Sequence, residues 1–497
     1  MKITNFFKNN KILSHFLILS VITACVYFGN YKNDYGYFDD FAEIVNNKLV
    51  NPKESGICPI FTDIKSFHFY VPFKHLVNYS LNSAAFFNPH VSHFFSDIIH
   101  IFNVLLCYLV ILRLSKSYRT AFLTALFFAI APVGSNAVNE IAARGHLFTG
   151  FFAFSSFLFY MLADSAGLKR NQDKHFLVLS AFLFFMGLFF WPTLIVLPAI
   201  LIVYEFAKEN RQPAEKIFFK ILPFALIAFF AIFVNLYISH IRHAQEVQSA
   251  VFDNGLIFSL NLFGWASLYK IPSIIAHYMI YCFVPPFFDI IYSPPLPDLW
   301  QDPLRYLWQF GVLAAYAAVC VFICRKNKIF VLAPAFFIIF LLPGLALMYK
   351  TEVMSLRYMY MGCVGVFFAL FAFLEAYAFP YLGGIKKWTA VLLLGFFFLF
   401  CSVNSYARKY MWANPHKATS AMLGNGGLAE VWGWLLKINW ENDLIQKLTY
   451  LKKAEEALEQ NKYGYELSYD LINQNIKGRV KYIRDLLHGQ HSGGEII

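Results

Sequence analysis

The chain has 497 residues, 58% of them hydrophobic and 14% charged, with 58 phenylalanines and 29 tyrosines. Ordinary globular domains run at roughly 45–50% apolar and about 25% charged residues, so this composition excludes a soluble enzyme, a disordered scaffold and a collagen-like fibre. The formal charge of +11 is spread as short Lys/Arg clusters between apolar runs. It is not a basic stripe with interleaved aromatics, which argues for membrane loops and against nucleic acid.

A membrane helix needs about 20 mostly apolar residues. The first such run, about 12–29, follows Lys2, Lys8 and Lys11. No A-x-A-like cleavage site follows it, so it reads as an uncleaved span whose lysines hold the N-terminus in the cytoplasm. Further spans are expected at about 91–112, 120–138, 147–163, 176–191, 193–207, 217–238, 304–324, 329–348, 357–379 and 388–405. The N-terminus and the loops then assigned to the inside carry more Lys and Arg than the loops and span ends assigned to the outside after the second span. Outside, after the second span, fall Arg144, Arg242, Lys270, Arg305, Lys350 and Arg357. Residues 257–291 are apolar but interrupted by Lys270, Pro272, Pro285 and Pro286, and parity allows them zero or two crossings. The expectation is an all-α bundle of about 11 transmembrane helices, alternatively 13.

Two regions are not membrane. The first outer loop, about 30–90, is long and polar, with an aromatic segment 67–88 expected to lie along the membrane surface. The membrane domain ends near 405, and residues 406–497 form a small extracytoplasmic helical tail. Within the tail, 441–488 reads as two amphipathic helices that bury Leu444, Leu448 and Leu451 on one and Leu467 and Leu471 on the other. Gly424, Gly426 and Gly427 mark a loop before them. Seven of the eight cysteines lie in apolar runs, and no disulfide framework is visible.

Chemistry concentrates at the outer ends of the spans. Asp39 and Asp40 stand side by side just after the first span, in Phe38-Asp39-Asp40-Phe41-Ala42-Glu43-Ile44. Adjacent acids in a partly desolvated site push one pKa up. One carboxylate can then act as general base while the other orients it, a role typically contributing roughly 10²–10⁴-fold. The bland reading is a solvated turn with helix-capping aspartates. Arg144, in Glu140-Ile-Ala-Ala-Arg144-Gly-His146, and Arg357, in Ser355-Leu-Arg357-Tyr358-Met-Tyr360, can clamp a phosphate bidentately. Their bland reading is snorkelling to the headgroups. Asp97, His100 and Asn103 share one helix face in an apolar span, where polar groups turn to a cavity or the bundle interior. The histidines show no spacing that supports a metal, so no cofactor is expected, although a divalent ion is compatible with the acids.

Together these segments resemble the GT-C glycosyltransferases, and within them the TMTC-type O-mannosyltransferases and their bacterial membrane relatives. Phe38-Asp39-Asp40 through Ile44 and Asn47 resembles F-D-D-x-x-x-I-x-x-N. The run His93 to Asn103 resembles H-x-x-N-x-x-x-H-x-x-N, with Ser96 for the first asparagine. Pro132-Val133 to Ala137-Val138 and then Ala143-Arg144-Gly145 resemble P-V-x-x-x-A-V and G-R-A. Tyr292-Ser-Pro-Pro resembles D/Y-S-P-P, and Arg357-Tyr-Met-Tyr360 resembles R-Y-L-Y. The likeness runs in order from about residue 30 to 365. It departs at Val71, Ala131, His146, Leu356 and Trp191-Pro192, and the tetratricopeptide repeats of the family are replaced by a different tail.

The resemblance implies a membrane transferase that moves one sugar from a polyprenyl-phosphate donor to an acceptor hydroxyl of a protein, glycan or lipid, with inversion. Asp39 or Asp40 would be the base, and Arg144, Arg357 and Lys350 would bind the donor phosphate. Glu43, His100, His146 and Tyr358 would orient substrate. The Phe, Asn and Lys content suggests an AT-rich bacterial genome, which would make the active face periplasmic. Rival readings are a lipid-linked sugar flippase, an oligosaccharide ligase or polymerase, and an inactive glycolipid-binding relative. Spans nearly free of charge and without repeated halves argue against the flippase.

Overall fold

The computed structural model describes residues 10–36, 38–63, 69–164, 170–209, 212–246, 270–284, 304–351, 355–413, 419–420, 422–423, 427–438, 441–460 and 466–487. Short turns aside, the described helices are α1 (Lys11–Tyr27), α2 (Pro72–Ala85), α3 (Pro89–Ser115), α4 (Tyr118–Ile130), α5 (Pro132–Asn139), α6 (Arg144–Ala163), α7 (Arg170–Leu188) and α8 (Leu197–Ala207). They continue as α9 (Ala214–Glu246), α10 (Lys270–Tyr281), α11 (Leu304–Lys326), α12 (Leu332–Thr351), α13 (Gly362–Phe373), α14 (Gly384–Arg408), α15 (Gly427–Lys437), α16 (Leu444–Gln460) and α17 (Glu466–Leu487). No strand occurs among the described residues. The protein is an all-α, multi-pass integral membrane protein.

Eight of these helical segments are long and apolar enough to cross a bilayer, and α4 with α5 makes a ninth, bent by 56°. Two shorter apolar helices, Lys174–Leu188 and Pro192–Ala207, coincide with the expected spans at 176–191 and 193–207. Each of the eleven apolar runs therefore falls on a helix. Of the ambiguous stretch 257–291, the described part is α10 and its following turn, and the rest lies outside the described residues.

The centre of the bundle is α3, α4, α6 and α13, with α1, α7 and α12 packed around them. Glycine sets the closest approach. A Cβ on Gly365 of α13 would come within 2.3 Å of the Ala333 carbonyl and 2.5 Å of the Phe337 nitrogen on α12. This is the small-residue contact that lets two membrane helices touch backbone to backbone. At one end of the bundle, Asp164, Glu205, Lys208 and Lys220 close a four-charge square across α6, α8 and α9. Asp164 pairs with Lys208 at 2.7 Å and Lys220 at 2.5 Å, and Glu205 pairs with the same two lysines at 2.5 and 2.9 Å. Tyr160 donates to Glu205 at 2.7 Å. Every charge there has two opposite neighbours, the condition under which burying ions is tolerable.

At the other end the segment between α1 and α3 folds onto the bundle. Helix α2 turns its polar face inward, burying Lys74, His75, Asn78 and Asn82, while Phe73 packs on Phe189 and Phe190. The aromatic segment that was expected to lie on the membrane surface thus contributes polar side chains to the interior. In the tail, α15 is a third helix that the glycines around 424–427 concealed. It packs on α16, which in turn packs on α17. Leu451, Ala454, Ala457 and Leu458 of α16 and Ile472, Ile476 and Ile483 of α17 are buried. Leu444 and Leu448 are partly buried, and the side chains of Leu467 and Leu471 lie outside the described residues.

Substitution Gly365→Ala should lower the thermal stability of the detergent-solubilised protein by about 1–3 kcal/mol, the usual cost of overpacking. The matched substitution Gly395→Ala, where an added Cβ meets nothing within 4 Å, should leave it unchanged. Equal melting curves for the two variants would contradict the packing described.

Candidate active site

The site forms where three loops meet: the turn Phe38–Asp40, the segment 140–143 between α5 and α6, and the turn Leu356–Met359 before α13. Proline explains the local geometry of the middle one. Pro132 opens α5 at its N1 position, where a missing N–H costs nothing, and the chain bends away from α4 there. Residues 136–143 are thereby carried across the end of the bundle and buried.

Asp40 is the anchor. It is 1% exposed. Its Oδ1 accepts from the Ala142 N–H at 2.6 Å and its Oδ2 from the Gly36 N–H at 2.8 Å. Glycine at 36 is required by space, since a Cβ would lie 2.9 Å from the Trp412 ring and 3.0 Å from Asp40 Oδ2. Burial pushes the Asp40 carboxyl up to about 7, opposed by the two N–H donors. The carboxyl ties the first loop to the 140–143 segment and so fixes where its neighbour points.

That neighbour, Asp39, is the accessible acid. Its side chain is 44% exposed, and its Oδ2 lies 2.7 Å from Arg357 Nη1. The same nitrogen is 2.6 Å from Glu140 Oε1, and the Glu140 side chain is only 4% exposed. Burial pushes the Glu140 carboxyl up to about 8, with Arg357 pulling it back down. Two carboxylates thus converge on one guanidinium nitrogen.

Arg144 sits behind this cluster, fully buried. Its Nε donates to Ser96 Oγ at 3.1 Å, Nη1 to Asn78 Oδ1 at 2.7 Å and Nη2 to the Ser92 carbonyl at 2.8 Å. It therefore joins α6 to α2 and α3, and its charge acts on Asp40 through the interior. The two arginines singled out by sequence have different surroundings: Arg357 faces the acids and is 21% exposed, while Arg144 is enclosed by neutral acceptors. Lys350 lies on α12, with its side chain outside the described residues.

Glu43 pairs with the buried Lys74, whose ammonium stands 4.5 Å from the centre of the Trp191 ring. Trp191 packs against His146, and His146 against Tyr358, with ring centroids 5.6 Å apart in both pairs. Gly145 makes room for Trp191, because a Cβ there would overlap the indole at 2.4 Å. His146 and Tyr358 also line a small cavity with Thr149, Thr193, Phe340, Gly344 and Met361. An arc of side chains thus runs from Glu43 and Lys74 through Trp191, His146 and Tyr358 to Arg357, Asp39 and Glu140.

His100 has other partners. Its Nδ1 accepts from the Tyr360 hydroxyl at 2.8 Å and its Nε2 faces the Ala129 carbonyl at 3.3 Å. Tyr360 in turn accepts from Asn103 at 2.9 Å. Asp97, on the same helix face, accepts from Asn30 instead. Tyr292 of the Tyr292-Ser-Pro-Pro segment lies outside the described residues.

Sequence reasoning did not select Glu140, Lys74 or Asn78. Glu140 had a visible signal, an acid four residues before Arg144 at the end of a span. For metal ions, no group of three or more His, Cys, Asp or Glu side chains is placed to hold one among the described residues.

No family model matches the chain, and no curated protein matches it in sequence. Among solved structures, an oligosaccharyltransferase from Archaeoglobus fulgidus, tethered with an acceptor peptide containing the NVT sequon, matches with a TM-score of 0.47 and 12% identity over 87% of this chain and 59% of that one. The archaeal oligosaccharyltransferase AglB of the same organism, in complex with an inhibitory peptide and a dolichol-phosphate, matches with a TM-score of 0.46 and 13% identity over 86% of this chain and 60% of that one. A third structure of that oligosaccharyltransferase, a complex with Zn and sulfate, matches with a TM-score of 0.44 and 12% identity. The chain spans about three fifths of the length of the first two structures it matches.

Proposed function

We propose that the protein is a GT-C-type membrane glycosyltransferase that moves a single sugar from a polyprenyl-phosphate donor to an acceptor hydroxyl, with its active face in the periplasm of a bacterial inner membrane. The observation that carries this reading is the contact between an accessible acid, Asp39, and a cation, Arg357, at 2.7 Å. A transferase of this kind needs both charges at one site, one to take the acceptor proton and the other to hold the departing phosphate, and the pair opens when the sugar enters between them.

In this reading Asp39 is the general base. Its exposed carboxylate accepts the proton of the acceptor hydroxyl as that oxygen attacks the anomeric carbon. The bond from that carbon to the phosphate oxygen breaks on the opposite side, so the sugar inverts and the lipid leaves as its phosphate. Arg357 meets the charge that develops on the leaving oxygen, the kind of fixed electrostatic help that is usually the largest catalytic term. Asp40 is a positioning residue: its backbone bonds set the direction of Asp39. Arg144 supports the site from behind, with a positive charge in a low dielectric, and Lys350 is a further cation for the phosphate. Trp191, His146 and Tyr358 offer ring faces and edges for the sugar, with Glu43 and Lys74 at the rim. The tail from 406 is proposed to lie on the same side as the acceptor.

The test is transfer itself. The purified protein is incubated with labelled polyprenyl-phosphate monosaccharides, with and without membrane extract, and free lipid phosphate is measured. Extract-dependent release is expected, with Asp39→Asn reducing it by roughly 10²–10⁴-fold at unchanged thermal stability. No release from any donor, with labelled lipid still bound, would replace the transferase with a flippase or a binding protein. A second expectation separates the two acids. Asp40→Ala should lose activity and also about 1–3 kcal/mol of stability, because two buried N–H groups lose their acceptor. A fully stable Asp40→Ala protein would contradict the anchoring role.

A further inference from the structure

Each terminal nitrogen of a guanidinium carries two N–H donors. Both donors of Arg357 Nη1 are engaged, one by Asp39 Oδ2 at 2.7 Å and one by Glu140 Oε1 at 2.6 Å. A phosphodiester that draws this nitrogen to itself through both donors must displace both carboxylates. Asp39 can turn to water, with its side chain 44% exposed. Glu140 has no such route at 4% exposure.

The groups that act on Glu140 from the elements around it are Arg357 and Tyr358 on the 356–359 turn and Asp39 and Asp40 on the first loop. Of these, Arg357 is the cation. If it swings to a phosphate, an ionised Glu140 is left in the interior facing two acids and a new anion. A buried charge stripped of its partner costs several kcal/mol, whereas a neutral carboxylic acid in the same place costs far less. We propose that Glu140 is a positioning residue that holds Arg357 for the donor while ionised and releases it when protonated, so that phosphodiester binding draws one proton from solvent wherever Glu140 starts out ionised. The identification of the anion as a donor phosphodiester rests on the transferase reading above.

The sign follows from linkage. Losing Arg357 raises the affinity of Glu140 for a proton above its already elevated value near 8, so binding is favoured at low pH and weakens as pH climbs past that value. The experiment is titration calorimetry on the full-length protein in detergent with geranyl methyl phosphate, a diester whose single charge is constant across the range. Runs at pH 6.5 and 9.0, in two buffers of different ionisation enthalpy, count the protons exchanged. The wild type should bind about tenfold more weakly at pH 9.0 than at 6.5, with uptake approaching one proton at pH 9.0 and little at 6.5. Glu140→Gln should bind equally at both and take up none.

Wild-type binding without proton uptake would overturn the role of Glu140 and leave the transferase intact. Undiminished pH dependence in Glu140→Gln would do the same. The wild-type proton count decides the matter even if the variant fails to fold. No binding of the diester at either pH would overturn this inference, and the transfer assay above decides separately whether the transferase reading falls with it.

Discussion

An arginine shared between two carboxylates at one end of a membrane bundle is the constraint around which that end is organised. Arg357 arrives from the turn before α13, Glu140 from the loop after α5 and Asp39 from the segment after α1. Three distant pieces of sequence therefore meet at one guanidinium. In water such pairs contribute little, but where the partners are largely buried their geometry has to be near ideal to offset desolvation. Asp40 supplies that precision through two backbone hydrogen bonds, and Arg144 through its links to α2 and α3. Loosening either would let the cluster open to solvent and lose its purpose.

The opposite end of the bundle solves a related problem differently. Asp164, Glu205, Lys208 and Lys220 cancel one another in a closed square. Nothing there is exposed in the way Asp39 is, and every carboxylate has two cations. One end is an electrostatic weld. The other keeps three acids around Arg357 and Arg144, with one acid within reach of solvent, and is the end suited to receive an anion.

Much of the architecture was legible because membrane helices announce themselves by composition. Runs of about twenty apolar residues are dictated by bilayer thickness, and each of those expected became a helix. The acids 39 and 40 and the arginines 144 and 357 were also legible, as charges stranded beside apolar spans. Their division of labour was not. Nothing local distinguishes Asp39 from Asp40; the difference arises because Ala142 and Gly36 turn their N–H groups to one and not the other. Arg144 and Arg357 differ likewise through Asn78 and Glu140, which lie far from them in sequence or read as ordinary loop residues. Helix α15 escaped because glycines at its start mask a short amphipathic pattern, and the inward face of α2 because polar residues in an outer loop look solvated until a bundle closes over them.

The break between α4 and α5 has a consequence for the bilayer. Thirteen residues of α4 rise about 20 Å, well short of a hydrocarbon core of about 30 Å. Helix α4 alone therefore stops inside the slab, and α5, with Asn136 and Asn139, completes the crossing at depth where acyl chains would otherwise lie. Irregular polar backbone survives at that depth only when protein covers it, and α5 is buried along its whole length, packed against α14 and the 356–359 turn. The polar boundary is thus carried downward within the protein.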